Sequence, residues 1–472
     1  MSFPKGLSFA FTKMSGFSKQ IDIISPDRKD AVSSGSTIRA KFNNNSLINL
    51  RTISMHYKLT AVGVGRTTTQ NYYQCRFAPR LSSSIIENIG VYMNSYLVDQ
   101  VNDYNLLYNT LYDLSAGVDQ DSKRYLENVD PSVKYKEELA AGGSTIHAVS
   151  TNLTSSATNT ANDDNVSDTD RQFVINNFCN FFGTSSTEFL DTNDVSDLEL
   201  VIKLAPKDIL WKSGDGANPV AAPVAAEYTL NNIYFTYERI MMEDPLYFEI
   251  KKSKLMSNEG LEIKWTGYST HNGPLQTRDI NYSFNTSGQS IDTIICTTRR
   301  TDYKTENYLQ LDGYDDGGVV DINFKQKLAS GTTGDLFNQS IYFRRDLAGM
   351  TDSQITINGT RMYKSPLTPH EIYNENIIAL NDQANLYNGV HPGCNSLPAF
   401  LKYYFAHILS LNYNGETSIP TISGLDGKGS SISISWNVNA DTTTVTSEVY
   451  PVVFVAKSQV IRINAGHQIT IV

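Results

Sequence analysis

The chain has 472 residues, 40% of them hydrophobic and 11% aromatic, which excludes a disordered polymer and exceeds what a single core commonly holds. Charged residues make up only 19%, and the formal net charge is −10. A general nucleic-acid binder needs a basic surface, so an acidic chain argues against that class and leaves open only a local basic patch facing a genome.

Asn, Thr, Ser, Tyr and Ile take the place of charges, which favours strands and polar turns over helices. The four cysteines, Cys75, Cys179, Cys296 and Cys394, stand far apart with no CxxC pair. They read as reduced, mostly buried thiols of a protein folded in a cytosol-like compartment, with one or two later disulfides left open.

From the N-terminus, residues 1–25 carry Lys5, Lys13 and Lys19 among small and apolar residues without a clear period. They read either as an inward-facing arm that grips neighbours, a minor protein or a membrane, or as a frayed end. No continuous apolar h-region and no window of membrane-spanning length is seen, so a soluble chain is expected.

Tyr104, Leu107, Tyr108 and Leu111 repeat at helical spacing and predict a short amphipathic helix over 103–113. A second helix is expected within 121–141, interrupted at Pro131. Residues 142–170 and 213–226 are polar or Gly/Pro/Ala-rich and read as surface loops.

Strand patterns dominate elsewhere. Leu198, Leu200, Ile202 and Leu204 alternate with Glu199, Val201 and Lys203; Leu261, Ile263 and Trp265 alternate with Glu262 and Lys264; Ile432, Ile434, Trp436 and Val438 alternate with serines and asparagines. The stretch from Ser396, SLPAFLKYYFAHILSLN, is a helix or a buried strand, and its period does not decide. Asn-Gly pairs at Asn272, Asn358, Asn388 and Asn414 supply tight-turn chemistry. Many strands without regular intervening helices mean sandwiches rather than a parallel sheet.

The two halves echo one another. Ile38, Phe42, Asn43 and Ile53 match Ile280, Phe284, Asn285 and Ile295. The hairpin around Asn94 matches that around Asn358, and YTLNNIYFTYERI from Tyr228 matches YPVVFVAKSQVIRI from Tyr450. The echoes come in one order, with offsets that vary as loops do, which points to two copies of one sandwich: an arm 1–25, a first domain 26–245 and a second 246–472.

These segments resemble the double jelly-roll major capsid proteins of the lineage that includes adenovirus, large algal viruses, virophages and polinton-like viruses, the last closest in pattern. The residues that carry the likeness are ENIGVYMNSYLVDQVNDYNLLYNTL, LELVIKLAPKDILW with YTLNNIYFTYERI, ITINGTRMYKSPLTPHEIY, and EVYPVVFVAKSQVIRINAG. The N-terminus and the 142–170 loop depart from the large algal-virus members.

The resemblance implies an all-β fold of two tandem eight-stranded antiparallel jelly rolls with a few short helices. It further implies a homotrimer of pseudo-hexagonal outline that tiles an icosahedral shell around a DNA genome. Assembly would occur inside the host cell and place the chain in the virion. The expected partners are the chain itself and neighbouring trimers, penton and minor capsid proteins, and an internal membrane or the genome through the N-terminal arm. No small-molecule substrate, cofactor, metal or catalytic residue is expected.

Motifs for other chemistry are wanting. GLDGKGS from Gly424 lacks the spacing of a phosphate loop, His370–Glu371 lacks the second histidine of a zinc protease, and no GxSxG elbow occurs. His391 and Cys394 have ligand-like spacing but want two further ligands, and read as a strand-capping turn. Asp312, Asp315 and Asp316 read as an acidic turn, and Asp191, Asp194 and Asp197 as a solvated loop. Of the seven Asn-x-Ser/Thr sequons, Asn152 and Asn165 in the polar loop are the plausible glycan sites. The competing functions are a two-lobed jelly-roll glycoprotein amidase, with paired carboxylates in an inter-lobe cleft, and a carbohydrate-binding sandwich.

Overall fold

The computed structural model describes residues 17–44, 46–62, 82–115, 172–195, 197–212, 227–242, 260–277, 279–288, 290–300, 349–380, 404–411, 424–438, 448–464 and 468–471. It also describes 75–77, 135–140, 143–148, 303, 319–320, 325–327 and 333–335, and parts of 249–255, 341–347 and 397–401.

The two main sheets of the first half are built from β1 (Phe17–Ile24), β2 (Val32–Ser33), β3 (Thr37–Lys41), β4 (Leu47–Asn49), β5 (Ser54–Val62), β6 (Ile86–Met93), β7 (Tyr96–Val101), β8 (Gln172–Ile175), β9 (Phe189–Asp191), β10 (Leu198–Leu204) and β11 (Glu227–Met242). Helix α1 (Tyr104–Ser115) follows β7, and a single helical turn α2 (Phe181–Thr184) follows β8. One sheet runs β8–β5–β11, with β1 and β2 against the other side of β11 and β4 and β9 alongside; the second runs β3–β10–β6–β7.

The second half holds β12 (Leu261–Asn272), β13 (Ile280–Thr286), β14 (Ser290–Arg300), β15 (Met350–Ile357), β16 (Thr360–Arg361), β17 (Ala406–Ser410), β18 (Ser430–Val438), β19 (Val449–Asn464) and β20 (Gln468–Ile471). Helix α3 (Pro369–Ala379) lies between β16 and β17. One sheet runs β12–β19–β14–β17 with β20 on β19, and the other runs β13–β18–β15–β16.

Without the short additions β2, β4, β9 and β20, each half contributes eight strands to these four sheets, and the remaining described strands form small separate sheets. Counted in chain order, both halves give sheets of order 1-8-3-6 and 2-7-4-5, the jelly-roll order, and each inserts a helix between its fifth and sixth strands. The pairings are antiparallel throughout these sheets. Two like sandwiches in tandem is thus the architecture, as the sequence echoes lead one to expect.

The local chemistry follows the period-two pattern. In β10 and β18 every second residue is buried, and Trp436 of β18 meets Phe405 edge-on at 5.4 Å. The echoed residues take like places: Ile38 and Ile280, Phe42 and Phe284, and Ile53 and Ile295 are all buried. Asn94 and Asn358 both adopt left-handed φ, 50° and 51°, and both donate their N–H at 2.9 Å to the neighbouring strand, to Asp197 O and Ser431 O. The third echo matches strand to strand, β11 to β19, but not residue to residue: Tyr228 is sealed in the core and Tyr450 is half-buried.

Three expectations change, and one reading left open is settled. Residues 17–24, read as part of the arm, are strand β1, paired along its whole length with Met242–Phe235. Residues 135–140, read as helix, pair with 143–148 as a hairpin, so the loop expected from 142 begins with a strand; pairing outweighs local helical spacing there. The ambiguous stretch from Ser396 is helical at its described residues Leu397, Phe400 and Leu401 and a strand at Ala406–Ser410. Asn272–Gly273 ends β12 instead of closing a hairpin, with Gly273 N–H donated to Pro451 O. Residues 1–16, 149–170 and 213–226, the Asp312–Asp316 turn, Asn388, Asn414, His391 and Cys394 lie outside the described residues.

Candidate functional site: the lobe junction and the open strand edge

The hydrogen-bonding edge of β12 is closed from the other half of the chain. Asn180 accepts the Phe182 N–H through its side chain at 3.0 Å and starts the turn α2. Gly183 is required there, because a Cβ would collide with the Phe178 carbonyl. The turn drives Phe182 against Phe42 of the first core (5.8 Å) and Phe181 edge-on against Trp265 of the second (5.5 Å).

Just beyond it the chain runs along β12. Ser186 N–H donates to Lys264 O at 2.6 Å, and Lys264 N–H returns to Ser186 Oγ at 3.1 Å. The Thr184 hydroxyl donates to Thr266 O at 2.8 Å and accepts the Thr266 N–H at 3.3 Å. Thr270 Oγ1 donates to Asn102 O at 2.8 Å. Exposed strand edges promote promiscuous pairing, and here the first lobe occupies one.

A charged cluster completes the junction. Asp103, left-handed at φ 49°, precedes α1 and accepts Arg299 Nη1 at 2.7 Å and Asn272 Nδ2 at 3.1 Å. Arg299 is buried and lies over the rings of Tyr303 and Tyr342 at 4.8 and 5.2 Å. Burial is the largest influence and works against its charge, but Asp103, Tyr342 and Tyr303 together outweigh it, so its pKa is raised. Asp99 of β7 accepts the Phe181 N–H at 2.7 Å; burial pushes its pKa up to about 6, while that hydrogen bond pulls down. A Cβ at Gly267 would first meet the Gln459 side chain and would stand 3.3 Å from Asp99 Oδ1.

Of the three acidic residues read as a solvated loop, Asp197 is exposed and the other two are not. Asp191 and Asp194 are buried and both grip Lys251, which stands between the halves. Glu371, beside His370, closes a capping box with Thr368 at the start of α3. A serine–histidine pair does exist: Ser353 Oγ lies 2.7 Å from His407 Nδ1. Both residues are fully buried, and the pair ties β15 to β17 across the second sandwich, with His407 pushed down to about 3 by burial. Cys179 and Cys296 are free thiols. Among the described residues no group of three or more His, Cys, Asp or Glu could hold a metal, and no helix is long and apolar enough to cross a membrane.

The site residues Thr184, Ser186, Asp99, Asp103 and Arg299 escape sequence reading. Only Asp103, a polar residue just ahead of a helical repeat, carries a local signal.

The other face of note is β1. Ile21 and Ile23 point outward and are 67% and 68% exposed, beside half-buried Ile240 and the Lys19–Glu238 ion pair (2.5 Å). No described residue hydrogen-bonds to the outer edge of β1.

Strand order, matched helices and the edge-to-lobe junction define a tandem double jelly roll. No family model and no curated protein matches the sequence. Solved structures do. A chain of the PBCV-1 virus capsid matches at 9% identity over 97% of this chain and 97% of that one, with a TM-score of 0.52. A chain of the Sputnik virophage matches at 10% identity over 97% and 89%, with 0.56, and the Faustovirus major capsid protein at 8% over 95% and 91%, with 0.54. The chain therefore shares, over nearly its full length, the double jelly-roll fold of these capsid structures.

Proposed function

We propose that the chain is the major capsid protein of an icosahedral DNA virus and resides in the virion. Three copies form a trimer whose six lobes imitate a hexagon and tile the shell. The observation that carries this reading is the duplication itself: two lobes of one strand order, one closing the strand edge of the other. A repeated unit is what a pseudo-hexagonal ring needs, and the likeness to capsid structures supports the same conclusion.

In this reading the first lobe starts at β1 and the division falls near residue 245, before Lys251. Residues ahead of β1 face the interior toward an internal membrane or the genome, and penton and minor capsid proteins are the remaining partners. The sequence pattern favours the polinton-like group.

The enzymatic alternative asks for a raised carboxylate in an open cleft. Asp99 is raised, but it is 5% exposed and capped by the Phe181 N–H, so no substrate reaches it. Analytical ultracentrifugation with negative-stain imaging of purified protein tests the proposal. The expected species is about 157 kDa, three times the 52.5 kDa chain, with a hexagonal outline. A monomer that persists at high concentration and moderate salt refutes it.

A further inference from the structure

We propose that Asp99 is a proton-operated latch between the two lobes of the chain. One proton on its carboxyl group holds the junction closed, and loss of that proton loosens the contact.

The placement of the group is the first observation. Asp99 belongs to β7 of the first lobe and is buried where the second lobe meets it. Its Oδ2 accepts the Phe181 N–H at 2.7 Å, which ties it to the turn that presses Phe181 edge-on against Trp265. Its Oδ1 stands against Gly267 of β12, beside the Gln459 side chain of β19. One carboxyl group thus sits among α2, β12 and β19, so its charge bears on contacts that both lobes contribute.

The surroundings are the second observation. A charge in a dry contact needs a counter-charge. Burial, then Cys179, Asp99 and Asp292, raise the pKa of Tyr268 on β12, so two carboxyl groups act on that one ring. Asp292 of β14 is held by the hydroxyls of Ser290 (2.8 Å) and Ser458 (2.6 Å). Cys179 is a thiol that burial pushes up to about 12. Lys457 lies along Gly288 and acts on His271, and Arg299 gives its charge to Asp103. No cation counts among the influences on Asp99: burial raises its pKa to about 6, against the Phe181 N–H, the Trp265 indole and the Gln100 N–H.

Above pH 6 the ionised carboxylate is therefore left without a counter-charge, and parting β7 and α2 from β12 lets water reach it. Below that pH the neutral group keeps the Phe181 N–H and has a proton of its own to donate, with Gln459 Oε1 close by. The sign follows from the raised value: opening grows as pH climbs from 3.8 to 6 and levels off beyond. The device lies within one chain and works whether or not copies associate.

The test is hydrogen–deuterium exchange of the full-length protein and of D99N, with rates corrected for the intrinsic effect of pH. The Ser186, Lys264 and Thr266 amides report on the junction. The amides of Leu200 on β10 and Ile434 on β18, inside the two sandwiches, are the controls. Junction opening in the wild type is expected to rise about tenfold from about pH 5 to about pH 7.5. D99N is expected to keep the low-pH protection throughout, and the controls are expected to stay level. Q459E places a further carboxylate beside Asp99 and is expected to enlarge the rise.

Wild-type protection at the junction that ignores pH overturns the latch. So does a D99N profile that still falls with pH, or a fall shared equally by the control amides. If D99N does not fold, Q459E decides alone: a rise no larger than that of the wild type overturns the placement of the charge. None of these outcomes bears on whether the chain builds a shell.

Discussion

Replacing Asp103 by Asn removes the charge opposite Arg299 and keeps a residue that tolerates the left-handed backbone at φ 49°. The Arg299 side chain is 7% exposed and that of Asp103 16%, so water cannot take over. Two unit charges at about 4 Å attract by about 4 kcal/mol at an effective dielectric near 20, and stripping one partner from a buried pair costs about 3–5 kcal/mol. The rings of Tyr303 and Tyr342 hold part of the guanidinium charge, which places the expected loss near the lower end, about 3 kcal/mol. For a lobe of this size that is a Tm lower by about 6–12 °C. Calorimetry and urea titration measure it, and a cycle with Arg299→Met isolates the pair, with an expected coupling of about 2 kcal/mol or more. A loss below about 1 kcal/mol, the value of a solvated surface pair, would refute the claim that this junction is dry.

Two pH effects of opposite sign follow. Asp99 titrates near 6 in the fold against an ordinary 3.8, so its ionised form opposes folding above pH 6, and the penalty fades as pH falls from 6 to 3.8. Asp99→Asn is therefore expected to stabilise the protein by up to about 3 kcal/mol at pH 7.5 and to converge with wild type below pH 4, as urea midpoints across that range will show. His407 is held neutral, its pKa depressed to about 3, so its contribution is whole above pH 6.5 and is lost as pH falls from 6.5 toward 3, by about 1.4 kcal/mol per unit. His407→Asn should flatten that slope at the expense of stability at neutral pH; an unchanged slope would locate acid sensitivity elsewhere.

The sandwiches were legible because their strands obey period two where one face is wet. Leu198–Leu204 and Ile432–Val438 are such strands, and the two turn asparagines announced the repeat through a backbone conformation that few residues accept. β1 was illegible for a matching reason: its pattern is inverted. Asp22 points inward, where Arg239 Nε (3.0 Å), Tyr237 and Asn43 satisfy it, while Ile21 and Ile23 point out. An apolar residue at both kinds of position erases the alternation. The polar part of the junction hid because it consists of main-chain bonds, small hydroxyls and an ion pair whose members lie 196 residues apart, none of which leaves a local pattern.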